Sequence, residues 1–197
     1  MALKGYFIQY KFILPDSVKH SSYTYQKLFR AIYGYTQNVT KSNGKTYHYH
    51  RNGVLSGVPY MRPGKNCVII PQGGFNSLTT FFKTGKNPSH FWRGKGDWKA
   101  VYYMDEKTLS DKEVVSSLEA LLERQHVTSK SGAPESLHSE MQAIAKAVAA
   151  GQNVDAQYKK LLVERADKVV NGGWFKESYS SSPRLAEFYK MYRAMKG

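Results

Sequence analysis

The feature that most limits what this chain can fold into is a change of periodicity at Ser110. Before it, aromatic and β-branched runs of strand length are interspersed with two short helical patterns. After it, apolar residues recur every three or four positions. The expected fold is therefore α+β: a small, mainly antiparallel sheet with two short helices over residues 1–107, followed by a helical region over 108–197. At 197 residues, the chain can bury a hydrophobic core without disulfide or metal staples.

In the first region, Tyr6 to Leu14 reads as a largely buried strand that ends at Pro15-Asp16. Tyr25, Leu28, Phe29, Ile32 and Tyr33 share one helical face over Ser22 to Tyr35, with Gly34 as the stop. Tyr35 to Lys41 and Lys45 to Arg51 are two strand-like arms joined by Ser42-Asn43-Gly44, where Asn-Gly suits the positive φ angles of a type I′ turn. A short strand is expected over Asn66 to Pro71, a second helix over Phe75 to Lys83 after Gly73-Gly74, and a last strand over Ala100 to Met104.

Ser110-Asp111-Lys112-Glu113 is a capping box opening the first helix of the second region. Further helices are expected over Ser136 to Ala150, Val154 to Val170 and Pro183 to Met195, with 127–135 as a linker or exposed loop. Leu185, Phe188, Tyr189, Tyr192 and Met195 fall at apolar helical spacing, which reads as core packing. This region would brace the first or serve a protein partner, another copy of the chain included.

The charge is as unevenly divided as the periodicity. Residues 1–107 hold 16 Lys and Arg against 4 Asp and Glu, a balance of +12; residues 108–197 hold 13 against 11, a balance of +2. A basic excess confined to one region favours a polyanionic partner there. Cys67 is the single cysteine, so an internal disulfide is excluded and a cysteine zinc site disfavoured; beside Val68-Ile69-Ile70 it reads as a buried small hydrophobe. No apolar run approaches the length of a membrane span and the first residues lack the layout of a secretory signal, so a cytoplasmic protein is expected.

The second hairpin arm carries the densest candidate chemistry. Strand alternation puts Lys45, Tyr47, Tyr49 and Arg51 on one face and Thr46, His48 and His50 on the other. Tyr rings offer stacking surfaces to unpaired bases, worth about 1–3 kcal/mol each, and the flanking cations, with Lys41, can reach phosphates. The competing expectation is that Tyr47 and Tyr49 pack inward on the preceding helix, since one face of a hairpin is usually buried. The loop after the second helix interleaves Lys83, Lys86, Arg93 and Lys95 with Trp92, Trp98 and glycines, a composition suited to phosphate contact. Arg62 and Lys65 add to the same expected surface.

His48-Tyr49-His50 resembles the His-hydrophobe-His motif of the single-strand nucleases of rolling-circle replication and transposition, with Tyr49 in place of the usual aliphatic residue. The resemblance covers a seven-residue stretch. It implies a metal held by His48 and His50 and a tyrosine nucleophile within Tyr-x-x-x-Lys, a pattern met by Tyr103 with Lys107 and by Tyr192 with Lys196. A metal-free ribonuclease using the same histidines with Lys45 or Arg51 is a second catalytic option. Two-metal carboxylate chemistry is disfavoured, because the basic region contains only Asp16, Asp97, Asp105 and Glu106. No dinucleotide fingerprint or phosphate loop occurs, and no cofactor is expected. The leading expectation is a non-catalytic binder of RNA or DNA, with the nicking enzyme or ribonuclease as its alternative.

Overall fold

The computed structural model describes residues 3–88, 97–129 and 132–197. The described chain divides into two compact units, one over Lys4–Thr108 and one over Leu109–Gly197 together with Leu3. The fold is α+β, with small antiparallel sheets and a helical C-terminal region.

The basic unit is built on β1 (Leu3–Ile13), which lies between β4 (Cys67–Ile70) and β5 (Lys99–Leu109) in a sheet ordered β4-β1-β5. β1 alternates: Ile8, Tyr10 and Phe12 are buried while Gln9, Lys11 and Ile13 are exposed, so the strand covers a core on one side only. This corrects the expectation of a largely buried strand. Against that side pack α1 (Tyr23–Tyr33) through Leu28, Ala31 and Ile32, and α2 (Gln72–Thr84) through Leu78, Phe81 and Phe82. Phe12 sits at the centre, edge-on to Phe29 at 5.7 Å and to Trp98 at 5.5 Å between ring centroids. Trp98 thereby fixes the end of the loop that precedes β5.

α2 starts earlier than the sequence suggests. Gly73-Gly74 reads as a breaker, yet both residues are helical, because the helix passes close to Val58: a Cβ on Gly74 would meet Val58 Cγ1 at 2.8 Å. Packing at Gly74 overrides glycine's poor helix propensity. Cys67 is half-buried, not a core residue. β5 runs on to Leu109, five residues beyond the expected end at Met104. Nothing of residues 101–108 is buried, so neither the alternation nor the apolar content by which a strand is recognised extends through them.

The hairpin, β2 (Tyr35–Thr40) with β3 (Thr46–Arg51), pairs Tyr35 with Arg51 and Thr40 with Thr46. Its turn differs from the type I′ expectation. Gly44 N–H donates to the Lys41 carbonyl at 2.9 Å, Lys41 N–H donates to the Lys45 carbonyl at 2.9 Å, and Gly44 has φ 76°. Asn43 keeps negative φ. Three residues separate the paired lysines, so the connection is a type I turn closed by a left-handed glycine.

The helical unit comprises α3 (Asp111–Arg124), α4 (Leu137–Ala149), α5 (Ala156–Val170), α6 (Gly173–Ser178) and α7 (Pro183–Lys196). The capping box forms as expected, with Glu113 N–H donating to Ser110 Oγ and Ser110 N–H donating to Glu113 Oε2 at 2.9 Å. Residues 127–135 are not a plain linker: β6 (His126–Thr128) pairs with β7 (Pro134–Ser136), and Val127 is buried between polar neighbours. A three-residue strand of that make-up has no detectable period. α6 was also hidden, because Gly172-Gly173 reads as a break, whereas a further turn of helix follows and buries Trp174 and Phe175.

Candidate nucleic-acid interface

The hairpin leaves the basic unit through a tightly built stem. Val54 and Leu55, just after β3, donate backbone N–H groups to the carbonyls of Ala31 and Ile32 at the end of α1, each at 2.9 Å. Those carbonyls are among the acceptors a helix C-terminus leaves unfilled. A Cβ on Gly34 would lie 2.6 Å from the Arg51 carbonyl oxygen, and one on Gly53 would lie 2.3 Å from Gly34 N. Only glycine at both positions lets the incoming and outgoing strands sit this close. Leu55, fully buried, anchors the return.

Beyond the stem the hairpin contributes nothing to the hydrophobic core. Every residue from Thr40 to Tyr49 is exposed, Tyr47 at 37% and Tyr49 at 42% of their full areas. The inward packing of these rings considered from the sequence does not occur. The two faces instead divide by chemistry. One carries Tyr35, Lys41, Lys45, Tyr47, Tyr49 and Arg51, with Lys41 Nζ 4.6 Å from the Tyr47 ring centre and the Arg51 guanidinium 5.8 Å from that of Tyr49. At the stem, Arg30 of α1 lies 4.9 Å over Tyr35. Residues 17–96 contain no Asp or Glu, so Tyr rings serve here as the partners that carboxylates provide elsewhere.

The other face is a ladder of polar rungs across the two strands. Thr36 Oγ1 pairs with His50 Nδ1 at 3.0 Å, Asn38 Oδ1 with His48 Nδ1 at 2.7 Å, and Thr40 Oγ1 with Thr46 Oγ1 at 3.0 Å. Both histidines thus use one ring nitrogen to hold the hairpin together. Among the described residues no group of three or more His, Cys, Asp or Glu side chains converges as a metal site would need. Tyr103 lies on β5, 61% exposed, and Tyr192 is buried in α7 with its hydroxyl donating to Asp167. Within the basic unit, Tyr103 belongs to the β4-β1-β5 sheet and not to the hairpin that carries His48 and His50.

The remaining candidates are spread over several elements. The Arg62 guanidinium lies 4.3 Å over the ring of Tyr33. The Tyr33 hydroxyl in turn meets that of Tyr10 at 2.9 Å, and burial pushes both phenols above their ordinary range, so they remain protonated hydrogen-bonding groups. Lys83 is exposed in the last turn of α2, and Lys86 is exposed just after Gly85 closes that helix in a left-handed conformation. Trp92, Arg93 and Lys95 lie outside the described residues.

Lys65 belongs to a feature that the sequence did not reveal. It borders an open depression of about 600 Å³ whose walls include Lys11 and Gln9 of β1, His20 before α1 and Tyr25 in its first turn, Asn66, and Val101, Tyr102 and Tyr103 of β5. Tyr25 and His20 pack with ring centres 4.6 Å apart. Asn66, at φ 59°, is the one non-glycine residue with positive φ among those described. The only sequence signal for this depression was the tyrosine pair on β5, and nothing in the sequence joins segments this distant.

Comparison with known protein families, curated proteins and solved structures finds no match to this chain. Among the described residues no helix is long and apolar enough to cross a membrane.

Proposed function

We propose that this protein binds nucleic acid through the tyrosine-and-cation face of the β2-β3 hairpin. The observation that carries the proposal is a hairpin outside the core and exposed from Thr40 to Tyr49, one side of which holds Tyr47 and Tyr49 each attended by a cation in a stretch without carboxylates. Isolated two-stranded hairpins are marginal in water. A stem this firmly tied to α1, supporting an arm that adds nothing to the core, suits an arm that acts outside the body of the protein. Exposed rings offer stacking area to unpaired bases, while Lys41, Lys45 and Arg51 neutralise phosphates and release counterions. Arg62, Lys65, Lys83 and Lys86 are further exposed cations of the same unit, and Trp92, Arg93 and Lys95 join the proposed contacts on their sequence alone.

The histidine face has a structural occupation in the cross-strand rungs, which favours binding over cleavage. The test is a gel-shift series with labelled single- and double-stranded RNA and DNA, with and without divalent metal, at several salt concentrations. Retention that weakens steeply with salt, without cleavage, is the expected result. A salt-independent affinity would overturn the proposal, as would cleavage abolished by His48→Ala/His50→Ala.

A further inference from the structure

The depression beside β5 combines three chemical features. Its aromatic wall includes Tyr25, backed by His20, and Tyr103, which is exposed. Lys11 and Lys65, both exposed, stand on its rim, and among the described residues no Asp or Glu lines it. Asn66 contributes an amide whose Oδ1 is buried and has no hydrogen-bond partner. A buried acceptor left unfilled is costly, by the full desolvation of the group, and is rare in folded proteins. As placed, Oδ1 is closed to solvent, so its cost is relieved when the Asn66 amide turns into the depression it lines and meets a ligand that brings an N–H donor.

A flat aromatic group satisfies the wall, an N–H on its edge satisfies Asn66, and an attached anion satisfies the lysines. One nucleotide carries all three. At about 600 Å³ the depression is within the size range of small-ligand sites, roughly 300–1,000 Å³. We infer that it is a nucleotide site: an unpaired base stacks on the tyrosine wall and donates an N–H to Asn66 Oδ1, with its phosphate against Lys11 and Lys65. The inference rests on the nucleic-acid reading of the hairpin where the nucleotide belongs to a strand; a free mononucleotide presents the same chemistry.

The site requires an unpaired base, whereas hairpin cations can grip the backbone of any nucleic acid. The experiment compares single-stranded RNA, a duplex of equal length and free AMP against wild type, Tyr103→Ala/Asn66→Gly, Lys11→Glu/Lys65→Glu and Lys41→Ala/Lys45→Ala/Arg51→Ala. Glycine accepts the backbone at position 66, and the two lysines are solvent-exposed, so the second variant keeps the test open should the first fail to fold. Removing a stacking surface or reversing the rim charge is expected to weaken single-strand binding about tenfold or more in both depression variants. Tyr103→Ala/Asn66→Gly should leave duplex binding at the wild-type level, and the hairpin variant should weaken both ligands.

Single-strand affinity unchanged in both depression variants would overturn the nucleotide site while leaving the hairpin proposal standing. Equal losses for single strand and duplex in Tyr103→Ala/Asn66→Gly would overturn it too, by removing the need for an unpaired base. AMP binding abolished in the depression variants, with no response to the hairpin variant for any ligand, would uphold the site and overturn the hairpin proposal.

Discussion

The two units of this chain use the same residue types to different ends. In the helical unit, cations and tyrosine hydroxyls are paired with carboxylates. Arg184 meets Glu123, Tyr158 donates to Glu140 at 2.7 Å, and Lys196 reaches both Asp167 at 2.9 Å and the Tyr192 hydroxyl at 2.6 Å. In the basic unit Lys4 meets Glu106 at 2.6 Å, but Lys27, Arg30, Lys41, Arg51 and Arg62 lie over tyrosine rings, and Tyr47, Tyr49, Tyr102 and Tyr103 are exposed. A tyrosine whose hydroxyl is tied to a carboxylate helps to hold helices together. An exposed tyrosine ring beside a cation leaves both groups accessible from solvent. The difference follows from the distribution of 4 carboxylates in residues 1–107 against 11 in residues 108–197.

Substitutions can break or sharpen this contrast. The largest effect is expected from Phe12→Ala. It removes a fully buried ring that touches Phe29, Phe81, Phe82 and Trp98, and should cost about 3–5 kcal/mol in the unfolding of the basic unit, read by urea titration. Tyr47→Ala/Tyr49→Ala should come next, weakening single-strand binding by about 1–3 kcal/mol for each base that loses its stacking partner. Because neither ring belongs to the hydrophobic core, thermal stability should change much less than in Phe12→Ala.

In the helical unit a smaller, pH-dependent effect is expected. The Tyr192 hydroxyl, and after it Lys196, hold the Asp167 carboxyl below its ordinary value of 3.8. A carboxylate depressed in the folded state contributes stability that is present above the unfolded value and lost as pH falls through the folded one. Tyr192→Phe should therefore lower stability near neutral pH and flatten its fall below about pH 4, where Asp167 becomes protonated. An unchanged acid limb in thermal melts would contradict that pairing. The smallest effect is expected from His48→Ala, which removes one exposed cross-strand rung and should leave nucleic-acid affinity unchanged in gel shift.

Much of the architecture was legible where local signals agree with tertiary demands. The capping box at Ser110, the apolar face of α1 closed by Gly34 and the apolar face of α7 each appear as their residues suggest. The hairpin was legible from Asn43-Gly44 between two strand-like arms, although the turn took a different type because three residues, not two, separate its paired lysines. The failures lie where packing decides. Gly74 is helical because of Val58, β5 outruns its own apolar pattern, and the β6-β7 pair is too short to show a period. For the candidate surface, strand alternation identifies the residues of the hairpin face but not their exposure, which depends on what packs beside them. The depression was not legible at all, since it brings together β1, the start of α1, Asn66 and β5.

The central claim is that the cations beside exposed tyrosines, and not those of the helical unit, meet the polyanion. Its most direct measurement is the salt dependence of single-stranded RNA binding by wild type, by Lys41→Ala/Lys45→Ala/Arg51→Ala, and by Lys160→Ala/Arg165→Ala/Lys168→Ala as the helical counterpart. The hairpin variant should bind more weakly and with a log–log slope shallower by about 2, since each phosphate no longer neutralised takes away roughly 0.7, while the helical variant follows wild type. A hairpin variant with the wild-type slope, or a helical variant that shows the loss instead, would contradict the account.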